Sequence, residues 1–144
     1  VPPLKNKNPI FLEQVDIKAR WTYETKDTII GYEDKISKTQ NEMIIVMTKL
    51  FELLKKNNIK LSLAVYPWPQ QIKHDVVESE HVKMWEEFCI SKCEKFINFF
   101  PFFFKEKKNS SYLEVHKKYY FWNDVHFNKE GNKVIANKLI NFFD

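Results

Sequence analysis

The chain has 144 residues, 44% hydrophobic and 16% aromatic, with 23 basic and 19 acidic side chains and a formal charge of +4. That length fits one domain, and the apolar content is ample for a packed core. Lysines, asparagines and acids break every apolar run short of the roughly 18 residues a membrane span needs. The lysines are scattered rather than gathered on one stripe, which argues against a nucleic-acid footprint.

Residues Val1 to Pro9, rich in proline, asparagine and lysine, read as a loop. Ile10 to Gly31 shows no sustained period, so residues 1–34 are predicted to be an irregular leading segment of one domain covering 1–144. From Lys35 to Asn57, residues Met43, Val46, Met47, Leu50, Phe51, Leu53 and Leu54 recur at steps of three and four. They predict a long amphipathic helix ended by Asn57-Asn58. Ile59 to Tyr66 predicts a buried parallel strand halted by Pro67-Trp68-Pro69.

Val82, Trp85, Phe88, Cys89, Phe96 and Ile97 predict a second helix from Glu80 to Phe99, stopped by Pro101. The run Phe99-Phe100-Pro101-Phe102-Phe103-Phe104 is too apolar for an exposed loop and is expected to pack in the core. Lys105 to Ser111 reads as a solvated loop. Tyr112 to Trp122 is read as a further strand, and Asn128 as the N-cap of a last helix, Lys129 to Phe143. Val134, Ile135, Leu139, Phe142 and Phe143 of that helix should face inward. Cys89 and Cys93, four apart in a helical pattern, suit half-buried thiols better than a disulfide. The order helix, strand, helix, strand, helix predicts a three-layer α/β fold with a parallel sheet. Two convincing strands are too few for such a sheet, so others must come from elsewhere.

Asp124-Val125-His126 carries the chemistry. One residue apart in an extended or loop segment, the two side chains emerge on the same side. The carboxylate can then accept the Nδ1 proton of the imidazole and leave Nε2 facing a nucleophile. The pair precedes a helix, where α/β folds build sites at the carboxyl ends of their strands. A surface Asp beside a helix-flanking His with no chemistry is the plainer reading of the triplet alone.

The whole string Tyr119-Tyr120-Phe121-Trp122-Asn123-Asp124-Val125-His126-Phe127-Asn128-Lys129-Glu130-Gly131-Asn132-Lys133-Val134-Ile135-Ala136 closely resembles the C-terminal block of the SGNH (GDSL-type) hydrolases. Val65-Tyr66-Pro67-Trp68-Pro69-Gln70-Gln71-Ile72 is similar to an inner strand and following loop of that superfamily. The resemblance extends over roughly Met43 to Phe143. It implies a flavodoxin-like three-layer sheet and a serine esterase or O-acyltransferase acting on ester substrates, carbohydrate O-acetyl groups among them. Asp124 would orient the imidazole, and His126 would deprotonate a serine that forms an acyl-enzyme. The chain departs from the pattern in two ways. Much of the superfamily spaces the pair as DxxH, whereas DxH resembles the branches that O-acetylate alginate and other polysaccharides. The N-terminal Gly-Asp-Ser block and the oxyanion glycine and asparagine have no counterpart here. Ser37, Ser62, Ser79, Ser91, Ser110 and Ser111 lack a preceding Gly-Asp, and the only glycines are Gly31 and Gly131.

Losing the serine of a subtilisin-type triad costs about six orders of magnitude in turnover. The chain alone is therefore expected to be inactive, insoluble or oligomeric, and to be the C-terminal part of a longer hydrolase whose N-terminal part supplies nucleophile and strands. A non-catalytic α/β binding or scaffold module with a degenerate site is the alternative. Tyr66, Trp68 and Tyr120 are candidates to line a sugar-binding cleft, against the plainer reading of core or rim packing. His74, His81 and His116 lack an acid two residues earlier in a comparable setting, and no compact spacing predicts a metal site or calls for a cofactor. No targeting address is legible.

Overall fold

The computed structural model describes residues 19–23 and 33–143. Most of the leading segment 1–34, with the reading placed on it, lies outside those residues. Within it, Arg20–Thr22 forms a 3-10 turn. Helix α1 spans Glu33–Lys56 and ends as its sequence predicts. Asn58 takes φ 58°. Its N–H donates to the Lys55 carbonyl at 3.0 Å, and that of Ile59 to Leu54 at 2.9 Å. This is a Schellman closure with asparagine in the left-handed position.

The described fold is α/β, with two parallel strands. Strand β1 (Ser62–Val65) pairs with β2 (Lys95–Asn98) in the register Ser62↔Lys95 to Val65↔Asn98. The crossover that parallel pairing demands contains α2 (Pro69–His74) and α3 (Glu80–Cys89). Then follow α4 (Phe100–Asn109), α5 (Tyr112–Tyr119) and α6 (Lys129–Phe143). Alternation along the strands sends Val65, Leu63 and Phe96 to a cluster with Val82, Trp85, Phe88 and Phe100. It sends Ile97 to a second cluster with Ile72, Phe99, Phe103, Val115, Tyr119 and Tyr120. The candidate site sits above the second cluster.

Several expectations need correction. The helix expected from Glu80 to Phe99 stops at Cys89, and Lys95–Asn98 is strand instead. Chain reversal through Ile90–Lys92 returns Cys93 to a Cα distance of 4.6 Å from Cys89, and the two form a disulfide rather than thiols. The objection to that bridge assumed both cysteines on one helix; only Cys89 is. Pro101 stops nothing: it lies in the first turn of α4, where its missing N–H costs no intrahelical bond. Phe99, Phe100 and Phe103 are buried, as their density predicts, and helix α4 continues through Lys105–Asn109, which had read as loop.

Tyr112 to Tyr119 is helix, not strand. Tyr112, Val115, His116 and Tyr119 fall at i, i+3, i+4 and i+7, and Ser111 caps the start by accepting from the Glu114 N–H at 3.2 Å. On α6, Val134, Ile135 and Leu139 pack on the core. Phe142 and Phe143, expected inward, are exposed beyond it. The apolar stripe of α1 is covered only in part. Ile44 and Met47 pack on the sheet cluster, while Met43, Val46, Leu50 and Leu53 are exposed. No helix among the described residues is long and apolar enough to cross a membrane.

Candidate active site

Asp124 and His126 lie in the loop joining α5 to α6, and its two legs are tied at the base. Tyr120 and Phe127 form an isolated antiparallel bridge. The Phe121 N–H donates to the His126 carbonyl, and the Asp124 N–H to the Phe121 carbonyl, each at 3.0 Å. Asn123, in the resulting turn, adopts φ 58°, a left-handed position that asparagine tolerates.

Below the loop, Asn128 joins both legs. Its Nδ2 donates to the carbonyls of Lys118 and Tyr120, each at 3.1 Å, and its Oδ1 accepts the N–H groups of Glu130 and Gly131 at 2.9 and 3.0 Å. The expected N-cap is therefore also a clasp between α5 and α6. Gly131 allows the closure: a Cβ there would lie 2.1 Å from the Tyr119 carbonyl oxygen and 2.7 Å from the Phe127 ring.

Asp124 and His126 are brought together. Asp124 Oδ1 lies 2.6 Å from His126 Nδ1 and also accepts the backbone N–H of Val125 at 2.7 Å and of His126 at 3.3 Å. The carboxylate side chain is 14% exposed and the imidazole 77%. A carboxylate oxygen so placed accepts the Nδ1 proton, leaving the Nε2 lone pair for an incoming proton.

Tyr120 lies beside this loop, with no side-chain surface open to a ligand. Its ring is buried, and its hydroxyl donates to the Pro67 carbonyl at 2.6 Å. Burial pushes that phenol well above its ordinary pKa. Tyr66 is half-open at 39% exposure and packs on Phe127, with ring centroids 4.7 Å apart. Trp68 caps α2, its backbone N–H donating to Gln71 Oε1 at 2.9 Å. No hydrogen bond or ring contact among the described residues joins Trp68 to the Asp124–His126 loop.

Two residues at the site were not nominated from sequence. His116, buried on α5, places Nε2 3.3 Å from the Phe121 carbonyl, and Trp122 stacks on its ring at 5.2 Å. Only the helical period of Tyr112 to Tyr119 signalled that His116 points inward. Burial lowers its pKa, while the backbone of Phe121 and Asp124 and the Asp124 charge act in the other direction.

Among the described residues no serine hydroxyl hydrogen-bonds to His126. Ser79 belongs to a separate buried group: its hydroxyl donates to Asp75 Oδ2 at 2.6 Å and accepts the His81 N–H at 3.2 Å. A serine that caps α3, gives its proton to a carboxylate and is 1% exposed is not a presented nucleophile. Gln71 Nε2 extends this group to Thr22 Oγ1 and His81 Nδ1, each at 3.4 Å, fastening the 3-10 turn to the crossover. Ser110 and Ser111 serve helix ends.

No protein family, curated protein or solved structure matches the chain.

Proposed function

We propose that Asp124 and His126 are the acid and base of an SGNH (GDSL-type) serine esterase or O-acyltransferase, with the nucleophile supplied from outside the described residues. The observation that carries this reading is the 2.6 Å contact between Asp124 Oδ1 and His126 Nδ1, on an imidazole whose other edge is open. A flavodoxin-like three-layer sheet is the architecture proposed for the complete domain. The parallel pair β1–β2, with apolar clusters on both faces, supports it.

In this mechanism the serine Oγ attacks the ester carbonyl while its proton passes to His126 Nε2. Asp124 holds the imidazole in the Nδ1–H tautomer and stabilises the imidazolium. The imidazolium returns the proton to the departing alkoxide oxygen as the C–O bond breaks, leaving an acyl-enzyme. Water, or a sugar hydroxyl, gives its proton to Nε2 and takes the acyl group, regenerating the serine. The substrate class is an ester, acylated carbohydrate among the candidates, and Tyr66 is the half-open aromatic available at the rim.

The test is a fluorophosphonate probe applied to the protein encoded by the full reading frame that contains these residues. A single serine should be labelled, and His126→Ala should abolish labelling. Asp124→Asn should slow turnover by about four orders of magnitude, as the amide imposes the wrong tautomer in a serine-protease triad. Labelling that survives His126→Ala removes His126 from the mechanism. A frame without a serine in a Gly-Asp-Ser block favours the second reading, a non-catalytic module, for which the lack of a serine on His126 among the described residues speaks.

A further inference from the structure

The backbone of Phe121 holds both site residues at once, its carbonyl accepting the Asp124 N–H and its own N–H donating to the His126 carbonyl. The same carbonyl faces His116 Nε2 at 3.3 Å. A carbonyl oxygen can only accept, so this contact requires the proton on Nε2. His116 is itself immobilised. It is 1% exposed on α5, with Tyr112 at 5.9 Å, Tyr120 at 6.0 Å and the Trp122 ring stacked above it at 5.2 Å. Val115 and Tyr119, its neighbours on α5, are core residues.

We propose that His116 is a positioning residue: by pinning the Phe121 carbonyl from beneath, it fixes the loop geometry in which Asp124 selects the Nδ1–H tautomer of His126. Trp122 completes the clamp from above, which accounts for an indole that is 54% exposed yet stacked on a buried ring. Within the loop, the Phe121–His126 and Phe121–Asp124 backbone bonds and the Asp124 carboxylate hold the tip. Asn128 and the Tyr120–Phe127 bridge hold its base, and Asn123 in the left-handed region adds a turn that needs support. Removing the His116 donor leaves the Phe121 carbonyl with the Asp124 N–H as its one partner among the described residues and loosens its orientation. The name "site" rests on the catalytic reading above; the geometric claim does not.

Long-range proton–nitrogen NMR correlations report the tautomer of His126 directly, on the full chain and without substrate. The wild type should show neutral His126 as Nδ1–H. In His116→Phe, which keeps a ring for Trp122 to stack on but has no donor, His126 should shift to the Nε2–H form. The Asp124 amide should then exchange about tenfold faster, the effect of losing one buried hydrogen bond's worth of protection. His116→Gln, whose amide nitrogen can reach the same carbonyl, should restore the wild-type tautomer. A folded His116→Phe protein that keeps Nδ1–H overturns the proposal. If that variant does not fold, a folded His116→Gln protein showing the Nε2–H form overturns it instead. A tautomer shift accompanied by fluorophosphonate labelling that ignores His126→Ala would leave the positioning role standing and the esterase reading fallen.

Discussion

The hydroxyl of Tyr120 donates to the carbonyl of Pro67 at 2.6 Å, joining positions 53 residues apart in the chain. It fastens the segment leaving β1 to the residue that opens the Asp124–His126 loop. Both partners are buried. Tyr120→Phe removes the donor and strands a buried acceptor, which costs about 1–3 kcal/mol. The urea midpoint should fall with little change in the slope. An unchanged midpoint would mean that water replaces the hydroxyl.

Alanine normally stabilises a helix by about 1 kcal/mol over glycine. At Gly131 the sign should reverse, because a Cβ would meet the Tyr119 carbonyl at 2.1 Å, and backbone cannot swing aside. Overpacking of this kind costs about 1–3 kcal/mol. Lys133→Ala, at an exposed position further along α6, is the control. Thermal melts showing Gly131→Ala at or above wild type would refute the close approach of α5 and α6.

Burial lowers the pKa of both His116 and His81 from the ordinary 6.5. The folded chain therefore binds fewer protons there than the unfolded chain, and stability rises with pH through this range. The contribution is complete above about pH 6.5 and is lost as pH falls from there through the folded values. Glu106, lowered from 4.5 mainly by the Tyr119 hydroxyl and then by Lys118, adds a second loss at more acid pH. Tyr120 acts oppositely: its raised value means stability is lost as pH climbs past 10. Denaturation midpoints should form a plateau between about pH 7 and 10, and His116→Gln should flatten the neutral-side slope. A midpoint that rises on acidification from pH 7 to 5 would contradict the burial of both rings.

What the sequence made legible was local and periodic. Asn58 closing α1, Asn128 opening α6 and the one-residue spacing of Asp124 and His126 follow from side-chain chemistry within a few positions. Two of the misread segments failed for different reasons. Phe96 and Ile97 extend the apolar pattern of α3 with no glycine or proline between, so the break at Ile90–Lys92 left no residue signature. Tyr112–Tyr119 is rich in aromatics that favour strands, and packing of Val115, His116 and Tyr119 onto the core overrode that preference. The disulfide depended on the first of these breaks. His116 depended on the second, since an imidazole on a strand would not lie under the loop.

The imidazole of His126 stands 77% open. Two unit charges 4 Å apart attract by about 1 kcal/mol in water and about 4 kcal/mol at the effective dielectric of a protein surface. The loop fixes the distance between carboxylate and ring, but it does not fix the medium around the ring. In the mechanism proposed above, whatever element brings a hydroxyl to Nε2 must also bring the wall that shuts out water. Dehydration and arrival of the nucleophile would in that mechanism be one event, and the proposed base would work only in company.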